Sequence, residues 1–164
     1  MNPLDDRLGP LAVLAGTWAG TGHGVYPTIE PFDYVEEVTF TDPVVKPFLA
    51  YVQRTRAADD GRPLHSESGF MRWSAGAPEW VIAAPGGRAE VHLGEAVVFA
   101  HSALDAGVDL TFRTLSVVLT PTAKRVDSVG RLLRVRGDVL TYQLHMAAMG
   151  QPYQLHLTAE LRRT

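Results

Sequence analysis

The fold of this chain is decided by the stretch Gly16-Thr-Trp-Ala-Gly-Thr-Gly-His-Gly24, which runs directly into Val25-Tyr-Pro-Thr-Ile29. The stretch reads as a β-strand, in which side chains alternate between two faces. One face therefore carries a tryptophan and four glycines: Gly16, Trp18, Gly20, Gly22 and Gly24. Glycine weakens the interior of a strand. Such a dense run of glycines therefore indicates either a sharp bend where a barrel closes or room for a flat ligand. The spacing Gly-x-Gly-x-Gly matches neither of the glycine patterns that bind nucleotides.

The composition is that of a soluble globular domain, and it excludes several classes of function. The 164 residues carry a formal net charge of -3, which gives no electrostatic case for binding nucleic acid or an anionic membrane. The chain has no cysteine, which excludes disulfides, iron–sulfur clusters and covalently attached haem. The first residues are acidic and no apolar run approaches membrane-spanning length, so we expect a cytoplasmic protein.

The remaining sequence has the pattern of an all-β protein. Residues 4–15 predict a short, irregular helix that Gly9 and Pro10 interrupt. Candidate strands follow at 17–26, 33–42, 47–57, 63–73, 79–84, 87–93, 96–103, 108–114, 125–136, 138–148 and 152–162. Short strands separated by regular turn signals predict a sandwich or an up-and-down barrel.

Histidines are the residues best suited to chemistry, but their spacing identifies no site. The six are His23, His65, His92, His101, His145 and His156. None has a zinc-binding spacing, and neither a Ser-His-Asp signature nor an acid–base pair is evident. His156 lies in the last strand on the face opposite to Leu155 and Leu157. A core under that apolar face would leave His156 exposed, although the lumen of a ligand-binding barrel can be polar.

Several motifs, taken in order, resemble the nitrobindin family. They are Gly16-x-Trp-x-Gly-x-Gly-x-Gly24 with Tyr26-Pro-Thr-Ile29, Phe32-x-Tyr34-x-Glu36-Glu37, Lys46-Pro-Phe-Leu49, Leu64-His-Ser-Glu-Ser-Gly69, Pro121-Thr-Ala-Lys124 and Met146…Gly150-Gln-Pro152…His156. The match runs nearly end to end. It implies one domain over residues 1–164, folded as a ten-stranded antiparallel up-and-down β-barrel like the fatty-acid-binding proteins, with a short N-terminal helix.

The resemblance also implies a site for haem b, one per chain, at one mouth of the barrel. The bare glycine face would then be the wall against which the planar macrocycle lies. His156 matches the family's axial histidine, so we expect it to be both the metal ligand and the catalytic residue. The other expected cofactor-binding residues are Lys124, which could pair with a propionate, Thr28, and the two residues that match positions close to the porphyrin, His65 and Met146.

The family is described as binding nitric oxide and as isomerising peroxynitrite to nitrate on ferric haem. The resemblance therefore implies a haem-dependent peroxynitrite isomerase with small-molecule ligands, no nucleic-acid or membrane partner, and dimerisation left open. Histidine-only ligation leaves one iron position free, and without an evident acid–base pair we do not expect peroxidase chemistry. One alternative is a fatty-acid-binding-like carrier of an apolar small molecule without haem, which would not need His156. A nitric-oxide sensor is a weaker alternative, because the sequence shows no output domain.

Overall fold

The fold is a closed barrel of ten antiparallel β-strands with a short helix before them. The structure is a computed structural model and describes residues 7–44, 46–99 and 106–164. The elements are a 3-10 helix (Gly9–Leu14), β1 (Gly16–Tyr26), β2 (Ile29–Thr41), β3 (Phe48–Ala57), β4 (Pro63–Ser74), β5 (Ala77–Ala84), β6 (Arg88–Phe99), β7 (Gly107–Leu119), β8 (Val126–Arg136), β9 (Val139–Ala148) and β10 (Gln154–Arg163). Each strand pairs with its successor and β1 pairs with β10, which confirms the predicted ten-stranded up-and-down barrel.

Some strand boundaries differ from those predicted. The candidates at 87–93 and 96–103 are parts of one strand, β6, which runs straight through Gly94. Gly94 does not break this strand because its missing Cβ makes room for the ring of Phe112, which such a Cβ would approach to 2.6 Å. His101, the end of the candidate at 96–103 and the first residues of the predicted helix lie outside the described residues.

The N-terminal helix closes one end of the barrel. Leu8, Leu11 and Leu14 are at most 1% exposed, since they insert between the strands as a plug. Trp18 Nε1 donates a hydrogen bond to Leu14 O at 2.8 Å, and the Arg163 guanidinium stacks over the Trp18 ring at 4.1 Å. The opposite end, which we call the mouth, is formed by the turns at 27–28, 58–62, 85–87, 120–125 and 149–153.

The interior has three layers between the plug and the mouth. A large apolar core packs against the helix and includes Trp18, Phe40 and Phe112. Buried charged and polar side chains form the middle layer: Glu36, Gln53, Thr55, Glu67, Glu90, His92 and Arg131. A second apolar cluster, which we call the mouth cluster, consists of Tyr26, Val126, Val129, Leu144 and Ala148.

The bare face of β1 is filled by the protein itself. A Cβ added at Gly22 would lie under 3.0 Å from the Tyr34 ring, and one at Gly24 equally close to the Phe32 ring. At Gly20 the conflict would be with the backbone of β10, which approaches closely where the barrel closes. The expectation that this face is a bare wall for a macrocycle is therefore wrong: the glycines admit two aromatic rings and a neighbouring strand.

Within the described ranges, no helix reaches the length and hydropathy that a membrane span requires.

Candidate functional site

Shifts in strand register concentrate at the mouth. Five of the ten strand pairings contain a shift, and each lies near a turn that forms this end of the barrel. The extra residues are Leu64, Leu115, Asp127, His156 and one residue of β2 between Ile29 and Phe32. Such β-bulges bend a strand and redirect its side chains, and they are enriched at barrel rims and beside active sites.

The bulge in β10 decides where His156 points. Leu155 pairs with His145 and Leu157 with Leu144, so His156 is the residue with no counterpart on β9. Its ring packs edge-on against Tyr26, with ring centres 5.3 Å apart. Tyr26 belongs to the mouth cluster, so His156 faces the interior although strict alternation predicts the outer face. The apparent conflict in the sequence pattern arises because alternation fails at a bulge.

The hydrogen bonding of His156 fixes its tautomer. Nδ1 lies 3.0 Å from the carbonyl oxygen of Val25, and since a carbonyl can only accept, Nδ1 carries the proton. Burial lowers the pKa of His156 and outweighs the hydrogen bond to Val25, which raises it; the neighbouring Arg88 lowers it further. At neutral pH the ring is therefore neutral, with the lone pair of Nε2 available for coordination. Metal-binding histidines commonly donate their other N–H to a backbone carbonyl in this way.

The other predicted site residues also lie at the mouth. Met146, on β9, packs against the mouth cluster and accepts a long hydrogen bond from Tyr26 O–H at 3.4 Å. Thr28 is exposed in the β1–β2 turn, and Lys124 is exposed in the β7–β8 turn. The β9–β10 turn is tied to the segment after Lys124, because Met149 N donates to Arg125 O at 3.0 Å.

His65 stands at the mouth as half of an imidazole–carboxylate pair. Its side chain is 39% exposed, and its Nε2 lies 2.9 Å from Oε2 of the buried Glu67. The Thr55 hydroxyl also binds the backbone N–H and carbonyl of His65, at 3.0 and 3.3 Å. Both the backbone and the ring of His65 are thus held in place.

Arg131 joins this pair to a second one deeper in the barrel. Its guanidinium donates to both oxygens of Glu67, at 2.6 and 3.2 Å, and to Glu90 Oε2 at 3.2 Å. Glu90 Oε2 in turn lies 2.7 Å from Nε2 of His92, which is fully buried. Burial alone would raise the pKa of both carboxyls. The charge of Arg131 and the contact with His65 outweigh burial and hold the pKa of Glu67 well below its ordinary range. The hydrogen bond with His92 and the charges of Arg131 and Arg88, which also contacts the carboxylate, hold the pKa of Glu90 at about 2.

Glu36, on β2, forms a third polar group with Gln53 and Tyr142. Gln53 Nε2 donates to Glu36 Oε1 at 2.6 Å, and the Tyr142 hydroxyl donates to Oε2 at 2.5 Å. The hydroxyls of Tyr142 and Tyr34 lie 2.7 Å apart. Burial raises the pKa of Glu36 to about 7, despite the opposing hydrogen bonds from Tyr142 and Gln53. This carboxyl therefore keeps its proton to a higher pH than an ordinary glutamate does.

Two imidazole–carboxylate pairs show that the expectation of no acid–base pair is wrong. The pairs His65–Glu67 and Glu90–His92 each join residues two apart on one strand, which share a face. The spacings His-x-Glu and Glu-x-His are thus the sequence signal from which the two pairs could have been predicted. Arg131 could not have been assigned to them from spacing, because it comes from the distant strand β8.

A closed barrel with a tautomer-fixed histidine at its open end is an arrangement that a haem-binding β-barrel requires, and the comparison of families gives the same class. The chain matches the model of the "THAP4-like, heme-binding beta-barrel domain" over residues 7–163, and it belongs to that family. The resemblance to the nitrobindin family is thereby confirmed.

Relatives with names are similar to this chain over nearly its whole length. "Peroxynitrite isomerase 2" of Mycobacterium avium (strain 104) is 50% identical over 161 residues, which are 98% of this chain and 96% of that protein. "Peroxynitrite isomerase 1" of Mycobacterium tuberculosis (strain ATCC 25618 / H37Rv) is 47% identical over 164 residues, with the same two coverages of 98% and 96%. The crystal structure of Rv2717c from M. tuberculosis superposes with a TM-score of 0.87 at 45% identity, covering 100% of this chain and 99% of that one.

The side chains at the mouth fit a haem better than a bare metal ion. In the part of the chain that the structure describes, no three His, Cys, Asp or Glu side chains are grouped so that they could hold a metal ion. A haem iron needs one protein ligand, and a neutral histidine is a common one. The mouth cluster beside His156 would supply apolar surface for the macrocycle, and Lys124 would supply a cation for its carboxylates.

Proposed function

We propose that this protein binds one haem b per chain through His156 and, in the ferric state, isomerises peroxynitrite to nitrate. The activity is supported by membership of the haem-binding barrel family and by relatives named peroxynitrite isomerase at about 50% identity over nearly the full length. We propose further that the ferrous form binds nitric oxide. The observation that carries the site is His156 itself: a bulge turns it inward, and Val25 leaves its Nε2 free.

The roles of the side chains follow from their places at the mouth. When bound, ferric haem supplies an open iron position at which peroxynitrite can rearrange. His156 holds the iron and is the catalytic residue in this proposal. Met146, which packs against the mouth cluster, would lie beside the macrocycle. The exposed Thr28 and Lys124 would bind its polar edge at the rim. His65 contacts the porphyrin or its ligand from the other wall of the mouth.

The interior argues against the alternative of an apolar carrier without haem. Sites for apolar ligands are lined mostly by hydrophobic side chains. Below the mouth, the cavity between Glu36, Gln53 and Arg131 measures about 20 Å³, and its walls carry charged groups. A fatty-acid-like molecule would have to displace the buried ion pairs of the middle layer.

For its partners and location we propose small-molecule ligands, no nucleic acid or membrane, a single domain and the cytoplasm. A homodimer is also proposed, on the outer face where Phe70, Val81 and Val91 adjoin on three strands and are 58%, 49% and 37% exposed. Sedimentation velocity over a range of concentrations tests the dimer, and a purely monomeric species at the highest concentration would disprove it.

Hemin titration of the apo-protein tests the site. Wild type should give a Soret band at one haem per chain, whereas His156→Ala should bind more than about tenfold more weakly, since even outer partners of metal ligands contribute that much. His145→Ala is the matched control, because His145 neighbours the bulge on β9 but stacks on the exposed Tyr153. An unchanged Soret maximum and affinity in His156→Ala would refute the axial assignment.

Stopped-flow mixing with peroxynitrite tests the reaction. The ferric protein should speed peroxynitrite decay and raise the nitrate yield, with apo-protein and His156→Ala as controls. Peroxynitrite decay no faster than with apo-protein would refute the proposed enzymatic activity. The remaining proposal would then be a protein that binds haem or nitric oxide.

A further inference from the structure

A small cavity lies between two buried polar groups of the middle layer. One group is the set of ion pairs around Arg131, and the other is the set of hydrogen bonds around Glu36. The cavity measures about 20 Å³, and one water molecule needs about 10–15 Å³. Its polar walls are Glu36, Tyr51, Gln53, Trp80, Arg131 and Tyr142. The space is therefore too small for an organic ligand, but it is large enough and polar enough for water.

Two buried donors on the walls of this cavity have no acceptor among the residues that the structure describes. They are Arg131 Nε and Trp80 Nε1. The other two nitrogens of the guanidinium donate to Glu67 and Glu90, so Nε is the one left over. The guanidinium lies over the Trp80 ring, 5.1 Å from its centre, which places the two donors close together. Buried N–H groups are almost always hydrogen-bonded, and both of these groups can only donate. The partner that they lack must therefore be an acceptor.

Glu36 presents acceptors to the same cavity. Its Oε1 accepts a hydrogen bond from Gln53 Nε2 at 2.6 Å, and its Oε2 accepts one from the Tyr142 hydroxyl at 2.5 Å. Each oxygen of a carboxylate can accept a second hydrogen bond. An anion in the cavity would meet the carboxyl of Glu36 and a cation would meet Arg131, so a neutral occupant is favoured. Water is the neutral molecule of this size that can both accept and donate.

We propose that one ordered water molecule occupies this cavity, where it accepts hydrogen bonds from Arg131 Nε–H and Trp80 Nε1–H and donates one to Glu36. This water joins the two polar groups into a single network, which runs from His65 at the mouth to the hydroxyl of Tyr34. The site belongs to the apo-protein and does not rest on the proposed function.

Occupancy is tested by magnetisation transfer from water to the indole N–H groups of the nitrogen-15-labelled apo-protein. The Trp80 indole should show a cross-relaxation peak to water, and Trp80→Phe identifies its signal. Trp18 is the internal control, because its indole is equally buried but donates to Leu14 O at 2.8 Å. It should show no such peak. The absence of a water peak at Trp80, or an equal peak at Trp18, would overturn the proposal.

The position of the water is tested by filling the cavity. Val38 is an apolar wall residue, and in Val38→Ile the added methyl group should displace the water and abolish the Trp80 peak. Val135→Ile is the matched control, because it makes the same change at a buried site that does not line the cavity. A Trp80 peak that persists in Val38→Ile would come from another source, such as the Tyr51 hydroxyl, and would overturn the proposal. The wild-type spectrum decides occupancy even if a variant fails to fold.

Two substitutions of Glu36 test its role as the acceptor. Glu36→Gln keeps a side-chain oxygen and should keep the Trp80 peak. Glu36→Met has a similar length but no oxygen, so it should weaken the binding of the water by about two- to tenfold, the effect of one lost hydrogen bond. Equal peaks in the two variants would overturn the assignment of Glu36 as the partner of the water.

Discussion

Gly22→Ala tests whether the glycine face of β1 serves packing or a ligand. The added Cβ would lie under 3.0 Å from three atoms of the Tyr34 ring, so the ring must move. Tyr34 is 1% exposed. Its hydroxyl also hydrogen-bonds to the Tyr142 hydroxyl at 2.7 Å and to Thr158 O at 3.2 Å, and both contacts are lost or lengthened when the ring shifts.

The expected loss of stability follows from these contacts. Overpacking a core typically costs about 1–3 kcal/mol. Two weakened hydrogen bonds add about 1 kcal/mol each. Replacing glycine by alanine in a strand returns about 0.5–1 kcal/mol. The net loss is therefore about 2–4.5 kcal/mol, which for a chain of this size lowers Tm by about 4–18 °C.

The assay is thermal and urea unfolding of the apo-protein, combined with hemin titration well below Tm. Gly86→Ala is the matched control, because nothing lies within 4 Å of a Cβ at that position, and it should change stability by less than about 0.5 kcal/mol. In a Tyr34→Leu background the cost of Gly22→Ala should shrink, since the two positions are in contact. Full stability in Gly22→Ala together with a large loss of hemin affinity would refute the packing argument and restore the bare face as a ligand wall.

Two further predictions concern charge. Lys124→Ala should weaken hemin binding by less than about tenfold, and the difference should shrink in high salt, as for an exposed ion pair. Lys46→Ala, in the turn at the plugged end, is the control. Complete loss of haem binding in Lys124→Ala would contradict a contact at the rim. Glu36 has a pKa raised from 4.5 to about 7, so the folded state binds its proton more tightly than the unfolded chain does. Its contribution to stability is full below about pH 4.5 and is lost as the pH rises to about 7. Glu36→Gln should flatten the free energy of unfolding across that window, and an unchanged slope would contradict the raised pKa.

The fold could be predicted because its signals are local. Alternating apolar residues and turn residues mark strands wherever the chain is regular, and the motif order supplied the number of strands. The prediction failed at Gly94, where a glycine that resembled a break is required by the Phe112 ring on the next strand. The glycine at this position is required by a contact between two strands, and the sequence of one strand alone does not show that contact.

The site could be predicted only in part, and the reason is the bulge at His156. Alternation counts residues along one strand, so it places His156 with Thr158 and Glu160 on the outer face. The register shift that reverses this depends on how β10 pairs with β9, which is a property of two strands. The match of motifs identified His156 as the metal ligand by resemblance, whereas the periodicity of the strand placed its side chain on the outer face.

The buried charges of the middle layer are difficult to explain by stability alone. Exchanging a buried ion pair for apolar side chains of similar volume is often neutral or stabilising, because taking charges out of water costs several kcal/mol per ion. Arg131 nevertheless lies between two carboxylates inside a barrel whose other layers are apolar. Of the histidines attached to these carboxylates, one is sealed in the core and one reaches the mouth. This layer adds little stability of its own, but through Glu67, whose Oε2 lies 2.9 Å from His65 Nε2, it fixes the orientation of a half-exposed imidazole.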